Sequence, residues 1–140
     1  MTKLQKRFIP LIEKHHKRCQ QKTKDKLYKS IISKRNNWSK KYGIKKTDID
    51  FLIETYLGTH CEYCGEKVDF KSLSLDHINP IDRGGSKNSI SNLHFVCKRC
   101  NVRKGTLNDN EYKSLLKFLE TLEHKSKKYV LRKLSSRAYF

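Results

Sequence analysis

The sequence predicts an α+β fold in which a ββα unit is held by four cysteines and flanked by helices at both ends. Three observations predict it. Cys61-x-x-Cys64 and Cys97-x-x-Cys100 form two tight pairs separated by 32 residues. From His60 to Gly105 short apolar pieces alternate with Gly, Pro, Asn and Asp, whereas on either side apolar residues recur at helical steps. With 36% of the 140 residues hydrophobic and 33% charged, the core is modest, and a staple of metal or disulfide would help to hold it.

Residues 1–46 are rich in Lys, Arg, His and Gln and read as a basic helical N-terminal arm. Leu27, Ile31 and Arg35 share one helix face with Ile32 nearby, and Trp38 and Tyr42 follow four apart. Pro10 suits the first position of a helical turn. Thr47, Asp48 and Asp50 mark the next helix start, with acidic side chains near the positive end of its dipole. Ile49, Leu52, Ile53, Tyr56 and Leu57 form its stripe, and Gly58 stops it.

Val68-Asp69-Phe70 and Leu73 to Ile78 predict two short strands, closed by the Asn79-Pro80 break. Gly84-Gly85 marks a tight or mobile loop, and a short helix is expected from about Asn101. Asn108 with Glu111 three residues on is a variant of the capping box. It opens an amphipathic helix through Tyr112, Leu115, Leu116, Leu119 and Leu122, to about Glu123. Residues 47–124 thus form the central domain. Residues 125–140 form a basic C-terminal tail or short helix, with Tyr129, Val130, Leu131 and Leu134 as its apolar positions.

Thirty-two Lys and Arg against 14 Asp and Glu give a formal charge of +18. A field of that sign repels itself unless it meets a polyanion, so nucleic acid is the expected partner, ahead of an anionic membrane surface. No stretch reaches the roughly 18 apolar residues of a membrane span, and the N-terminus lacks the apolar stretch of a secretion signal. The expected location is a cytoplasm, bacterial or that of a phage-infected host. In such a reducing compartment paired cysteines favour metal over disulfides. Cys61, Cys64, Cys97 and Cys100 would fill all four positions of a tetrahedral Zn²⁺, which makes that site closed and structural. Cys19 stands apart.

Inside the insert, Asp76-His77 sits at a predicted strand end, Asn92 follows His77 by fifteen positions, and Asn101 directly follows the last cysteine. Carboxylate and amide oxygens suit a hard cation such as Mg²⁺ or Mn²⁺. Lys98, Arg99, Arg103 and Lys104 are placed in sequence to contact phosphates, and Arg83 in the glycine loop is a further candidate. His15-His16 reads as a solvated pair, His60 adds nothing to a full cysteine site, and His94 between Leu93 and Phe95 reads as buried or hydrogen-bonded.

From Cys61 to Gly105 the pattern C-x-x-C-G, D-H-I-x-P, G-G, N-L and C-x-x-C-N-x-x-K-G resembles the HNH endonuclease family. Asn101 stands at the last motif position, which makes the H-N-N variant, as in phage endonuclease VII-like and other phage and bacterial members. The resemblance implies the ββα-metal core and a DNA endonuclease. It implies His77 as general base, Asp76 and Asn101 as ligands of one divalent cation, and Asn92 as the residue that aims the base. Some members carry a further histidine ligand where Gly105 stands here, so a Mg²⁺ or Mn²⁺ site with two protein oxygens is expected. The flanking helices leave a homodimer open. The alternatives are a non-catalytic zinc-stabilised DNA-binding module and a zinc domain for protein contacts. The first has no use for Asp76, His77, Asn92 and Asn101 together, and the second fits the charge poorly.

Overall fold

The computed structural model describes residues 1–15, 21–69 and 72–136. In order, these form α1 (Lys3–His15), α2 (Gln21–Tyr42), α3 (Lys46–Tyr56), β1 (Leu73–His77), β2 (Leu93–Cys97), α4 (Lys98–Lys104), α5 (Asp109–Glu120) and α6 (His124–Ser136). Single 3₁₀ turns at Ile81–Arg83 and Ile90–Asn92 shape the segment between the strands. Cys19, His16 and Phe70 lie outside the described residues.

The sheet has two antiparallel strands, in a register that sets Leu73 against Cys97 and His77 against Leu93. The expected strand pair is corrected in one member. Leu73 to His77 is a strand, but Val68 and Asp69 are not, and the partner is Leu93–Cys97. Every residue of that partner is buried, so it lacks the in–out alternation that marks a half-exposed strand. Residues 60 and 67 make one isolated bridge ahead of the sheet. The third member of the ββα unit, α4, begins at Lys98, three residues before the expected start, because the Cys97 sulfur caps it by accepting from the Cys100 amide at 3.4 Å.

Helix boundaries shift for similar reasons. Thr2 and Gln5 form a reciprocal cap (Thr2 N to Gln5 Oε1 2.7 Å, Gln5 N to Thr2 Oγ1 3.1 Å), so α1 starts at Lys3 and Pro10 lies within it. In α3 the N-cap is Lys45, with no side-chain cap bond, and Thr47 is already helical. The Asn108–Glu111 box is present as expected and opens α5, which ends at Glu120 with Thr121 as its C-cap. The last helix, α6, runs over 13 residues.

One hydrophobic core joins the three N-terminal helices and α5 to the sheet. Phe8 and Ile12 of α1, Leu27 and Ile31 of α2 and Ile49, Leu52 and Ile53 of α3 pack with Leu75, Phe95, Val96 and Tyr112. Trp38 of α2 lies against Phe95 with ring centroids 5.0 Å apart. The three N-terminal helices are further tied at Asp50, only 2% exposed. Arg35 grips both its oxygens, with Nη2 to Oδ2 at 2.9 Å, and Arg7 approaches Oδ2 at 3.6 Å while pairing with Glu54.

Removing Arg35 leaves Asp50 charged and buried with one partly exposed partner. Arg35→Ala should therefore lower the free energy of unfolding by about 3–5 kcal/mol in urea denaturation. A loss below about 1 kcal/mol would mean that the pair is solvated and holds nothing together.

Candidate active site and metal centre

The four paired cysteines converge as the sequence predicts. Cys61 and Cys64 flank a turn after α3, closed by the Gly65 amide on the Cys61 carbonyl at 2.9 Å. Cys97 ends β2 and Cys100 lies in the first turn of α4. All four sulfurs lie within 4.8 Å of one another, and Cys64 and Cys97 are 3.6 Å apart. A tetrahedron with metal–sulfur bonds of about 2.3 Å has edges of about 3.8 Å, so the cluster fits one thiophilic ion. Bonding to the Cys100 thiol pulls the Cys61 thiol down to about 4, and burial pushes Cys97 up to about 11. Behind the cluster the Tyr112 hydroxyl is buried with no nitrogen or oxygen partner, and burial followed by the nearby Cys100 sulfur raises its pKa.

The polar constellation lies where β1 and α4 meet. Asp76 is 4% exposed and accepts from two donors, His94 Nε2 on Oδ2 at 2.6 Å and Lys104 Nζ on Oδ1 at 3.0 Å. Lys104 also donates to the His77 carbonyl at 2.9 Å. Asn101, one turn before Lys104 on the same face of α4, donates to Ser74 Oγ at 2.7 Å and to the Leu75 carbonyl at 2.9 Å. With both donations made, its Oδ1 is the oxygen left to bind. A carboxylate has about four lone-pair sites, so two donors leave Asp76 capacity for more. Two oxygen donors of this kind fit a hard divalent cation better than a thiophilic one.

His77 ends β1, half-exposed, and its Nε2 lies 2.9 Å from the Lys87 carbonyl. A carbonyl only accepts, so Nε2 carries the hydrogen and Nδ1 of the neutral ring is the basic atom. Tyr42, the last residue of α2, packs edge-on against this ring with centroids 5.0 Å apart. Asn92 clamps the loop that carries Lys87. It donates to the carbonyls of Asn79 (2.9 Å) and Ser86 (2.8 Å) and accepts from the Asn79 amide at 2.9 Å. Gly85 makes the clamp close, since a Cβ there would lie 1.8 Å from the Asn79 oxygen.

The five candidate phosphate contacts separate. Lys104 is corrected: it is 2% exposed and committed to Asp76, so its ammonium is not offered to a phosphate. Its position three after Asn101 puts it on the inward face of α4, which sequence proximity alone hid. Arg83 pairs with Glu111 and Arg99 with Glu66 at 2.5 Å, both at the surface. Lys98 is exposed, and Arg103 donates to Ser135 Oγ at 2.8 Å. Ser74, Lys87 and Tyr42 join the site without having been singled out by the sequence, whereas His94 is buried and hydrogen-bonded as expected, with Asp76 as its partner. That bond follows directly from the register, in which Asp76 and His94 are opposed.

The buried cation should be worth more than a surface one. Lys104→Met should cost about 3 kcal/mol or more in urea denaturation, because Asp76 loses a buried partner. Lys98→Met, at the surface, should change stability by about 0.5 kcal/mol or less. Equal small effects from the two substitutions would contradict the burial of Lys104.

Residues 61–107 match the family model of the HNH endonucleases. The chain is also 47% identical over 45 residues to a CRISPR-associated endonuclease Cas9 of Corynebacterium diphtheriae, and 45% identical over 47 residues to that of Actinomyces naeslundii. These alignments cover 32% and 34% of the chain but only 4% of each relative. Among the described residues no helix is long and apolar enough to cross a membrane. Residues 61–107, which hold the paired cysteines and Asp76-His77, are thus the part of the chain that is similar to an HNH endonuclease domain.

Proposed function

We propose that this protein is a divalent-metal-dependent endonuclease that hydrolyses DNA phosphodiester bonds. The observation that carries the proposal is the His77 ring, held through Nε2 by the Lys87 carbonyl at the end of the same strand that carries Asp76 and whose Leu75 carbonyl holds Asn101.

A phosphodiester resists attack because it is anionic. Mg²⁺ or Mn²⁺ held by Asp76 and Asn101 would offset charge on a non-bridging oxygen and on the departing 3′ oxygen. His77 Nδ1 takes the proton from a water aligned opposite that oxygen. The new P–O bond forms as the P–O3′ bond breaks, leaving 5′-phosphate and 3′-hydroxyl ends. Asn92 contributes by aim: its amide ties the two sides of the loop and so sets the carbonyl that orients His77. His94 and Lys104 hold the Asp76 carboxylate in place. Lys98 and Arg103 contact phosphates without reading bases, and Arg83 and Arg99 join them by exchanging carboxylate partners for phosphates. The cysteine cluster holds Zn²⁺ as a structural ion, since all four of its ligand positions are protein sulfur.

Supercoiled plasmid with Mg²⁺ or Mn²⁺ tests the reaction. The full chain should nick or linearise it, and His77→Ala should slow cleavage by about 10²–10⁴-fold while DNA binding is kept. Wild-type protein that leaves plasmid, linear duplex and branched DNA intact with both metals would refute the reading. Asn92→Asp, which cannot donate to Asn79 and Ser86, should lower kcat with little change in KM; a change confined to KM would assign Asn92 to substrate binding. Cys61→Ser should lose zinc and lower Tm together, and retention of zinc at full occupancy would remove Cys61 from the ligand set.

A further inference from the structure

Helix α6 has no place in the reaction just described and buries none of its residues. It packs on α4, and between the two helices lies a groove lined by Arg103, His124, Lys127, Lys128, Arg132 and Ser135. The α6 members fall at steps of one, three and four residues, so they form one stripe along one helix face. Among the described residues no carboxylate lines this groove. None among the described residues pairs with Lys127, Lys128 or Arg132, so their charges are not offset within the chain. Arg103 faces the stripe from α4, half-buried, with Nε fixed by Ser135 so that its two terminal nitrogens remain to bind.

The groove is separated from the metal-binding oxygens by the body of α4. Asn101 and Lys104 face β1 and Asp76, whereas Val102 and Arg103 face α6. A second shallow groove, lined by Lys98, Arg99 and Val102, shares Ser135 with the first and continues the basic surface along α4. Asp69 is the carboxylate on its far side. His124 to Arg132 spans about 12 Å of helix, which matches the axial rise of three to four phosphates on one strand.

We propose that the α4–α6 groove is a second nucleic-acid seat that takes the phosphate backbone of DNA flanking the scissile bond. The proposal rests on the nuclease reading for its substrate. Charge complementarity selects a polyanion, and the linear stripe selects an extended one. Arg103 held in advance lowers the ordering cost of binding. Two such seats on opposite faces of one short helix would hold DNA on both sides of α4, and affinity would then grow with length beyond the duplex needed for cleavage.

The test compares Lys127→Gln/Lys128→Gln with Lys117→Gln/Lys133→Gln, which removes the same charge away from the groove. Circular dichroism and zinc content confirm that both variants fold. Binding is measured by fluorescence anisotropy over a salt series, on duplexes of about one and about three helical turns. The groove variant should weaken binding to the longer duplex about tenfold and reduce the salt slope by about 1.8, with kcat at saturating DNA unchanged. The control variant should leave the slope near the wild-type value. Equal losses in both variants, or an unchanged slope in the groove variant, overturn the proposal. Should wild type cleave no DNA, the nuclease reading fails on its own, and the binding comparison still decides the groove.

Discussion

Cys97 ends β2, caps α4 through its sulfur and belongs to the four-cysteine cluster. One atom therefore fixes the joint between strand and helix. A two-stranded ribbon of five residues per strand is marginal in water, and a seven-residue helix has too few internal bonds to persist alone. Neither becomes rigid until the joint between them is. Leu73 sits opposite Cys97 at the pinned end, and His77 sits opposite Leu93 at the other, about 14 Å away along the ladder. The cysteine cluster thus anchors the end of the ladder opposite His77.

Around His77, position is set by hydrogen bonds between side chains and backbone rather than by a large core. The chain leaves β1 after His77 and returns to β2 at Leu93, crossing two 3₁₀ turns. Such a loop would wander if only its ends were held. Asn92, at its return, ties together its departure at Asn79 and its middle at Ser86, and Gly85 lets the two stretches of backbone touch. The Lys87 carbonyl then has a defined position from which to orient the imidazole. Below it, a buried carboxylate between a buried lysine and a buried histidine keeps its charge compensated without exposure to water.

The cysteine cluster, the helix stripes and the Asn108–Glu111 cap were legible in the sequence because each is carried by residues close together or by a strict period. The second strand was not: Leu93 to Cys97 is apolar throughout except for His94, and its histidine and cysteine look like functional punctuation instead of strand interior. Lys104 was misread for a related reason. Beside Arg103 it looks like part of a basic surface patch, but α4 turns it inward, and only the helix start at Lys98 reveals that rotation. Arg35 and Asp50 were seen as members of separate helices, and their pairing is a long-range fact that no local pattern encodes.

The contact between Tyr42 and His77 bears on what counts as a module. The stretch that matches the family model is residues 61–107, yet its His77 ring leans on a residue from α2, and Phe95 of its second strand leans on Trp38. The inheritable motif and the cooperative unit are therefore different lengths of chain. Transplanted without its helical cradle, the motif would keep the Lys87 carbonyl that holds His77 and lose the Tyr42 ring packed against it.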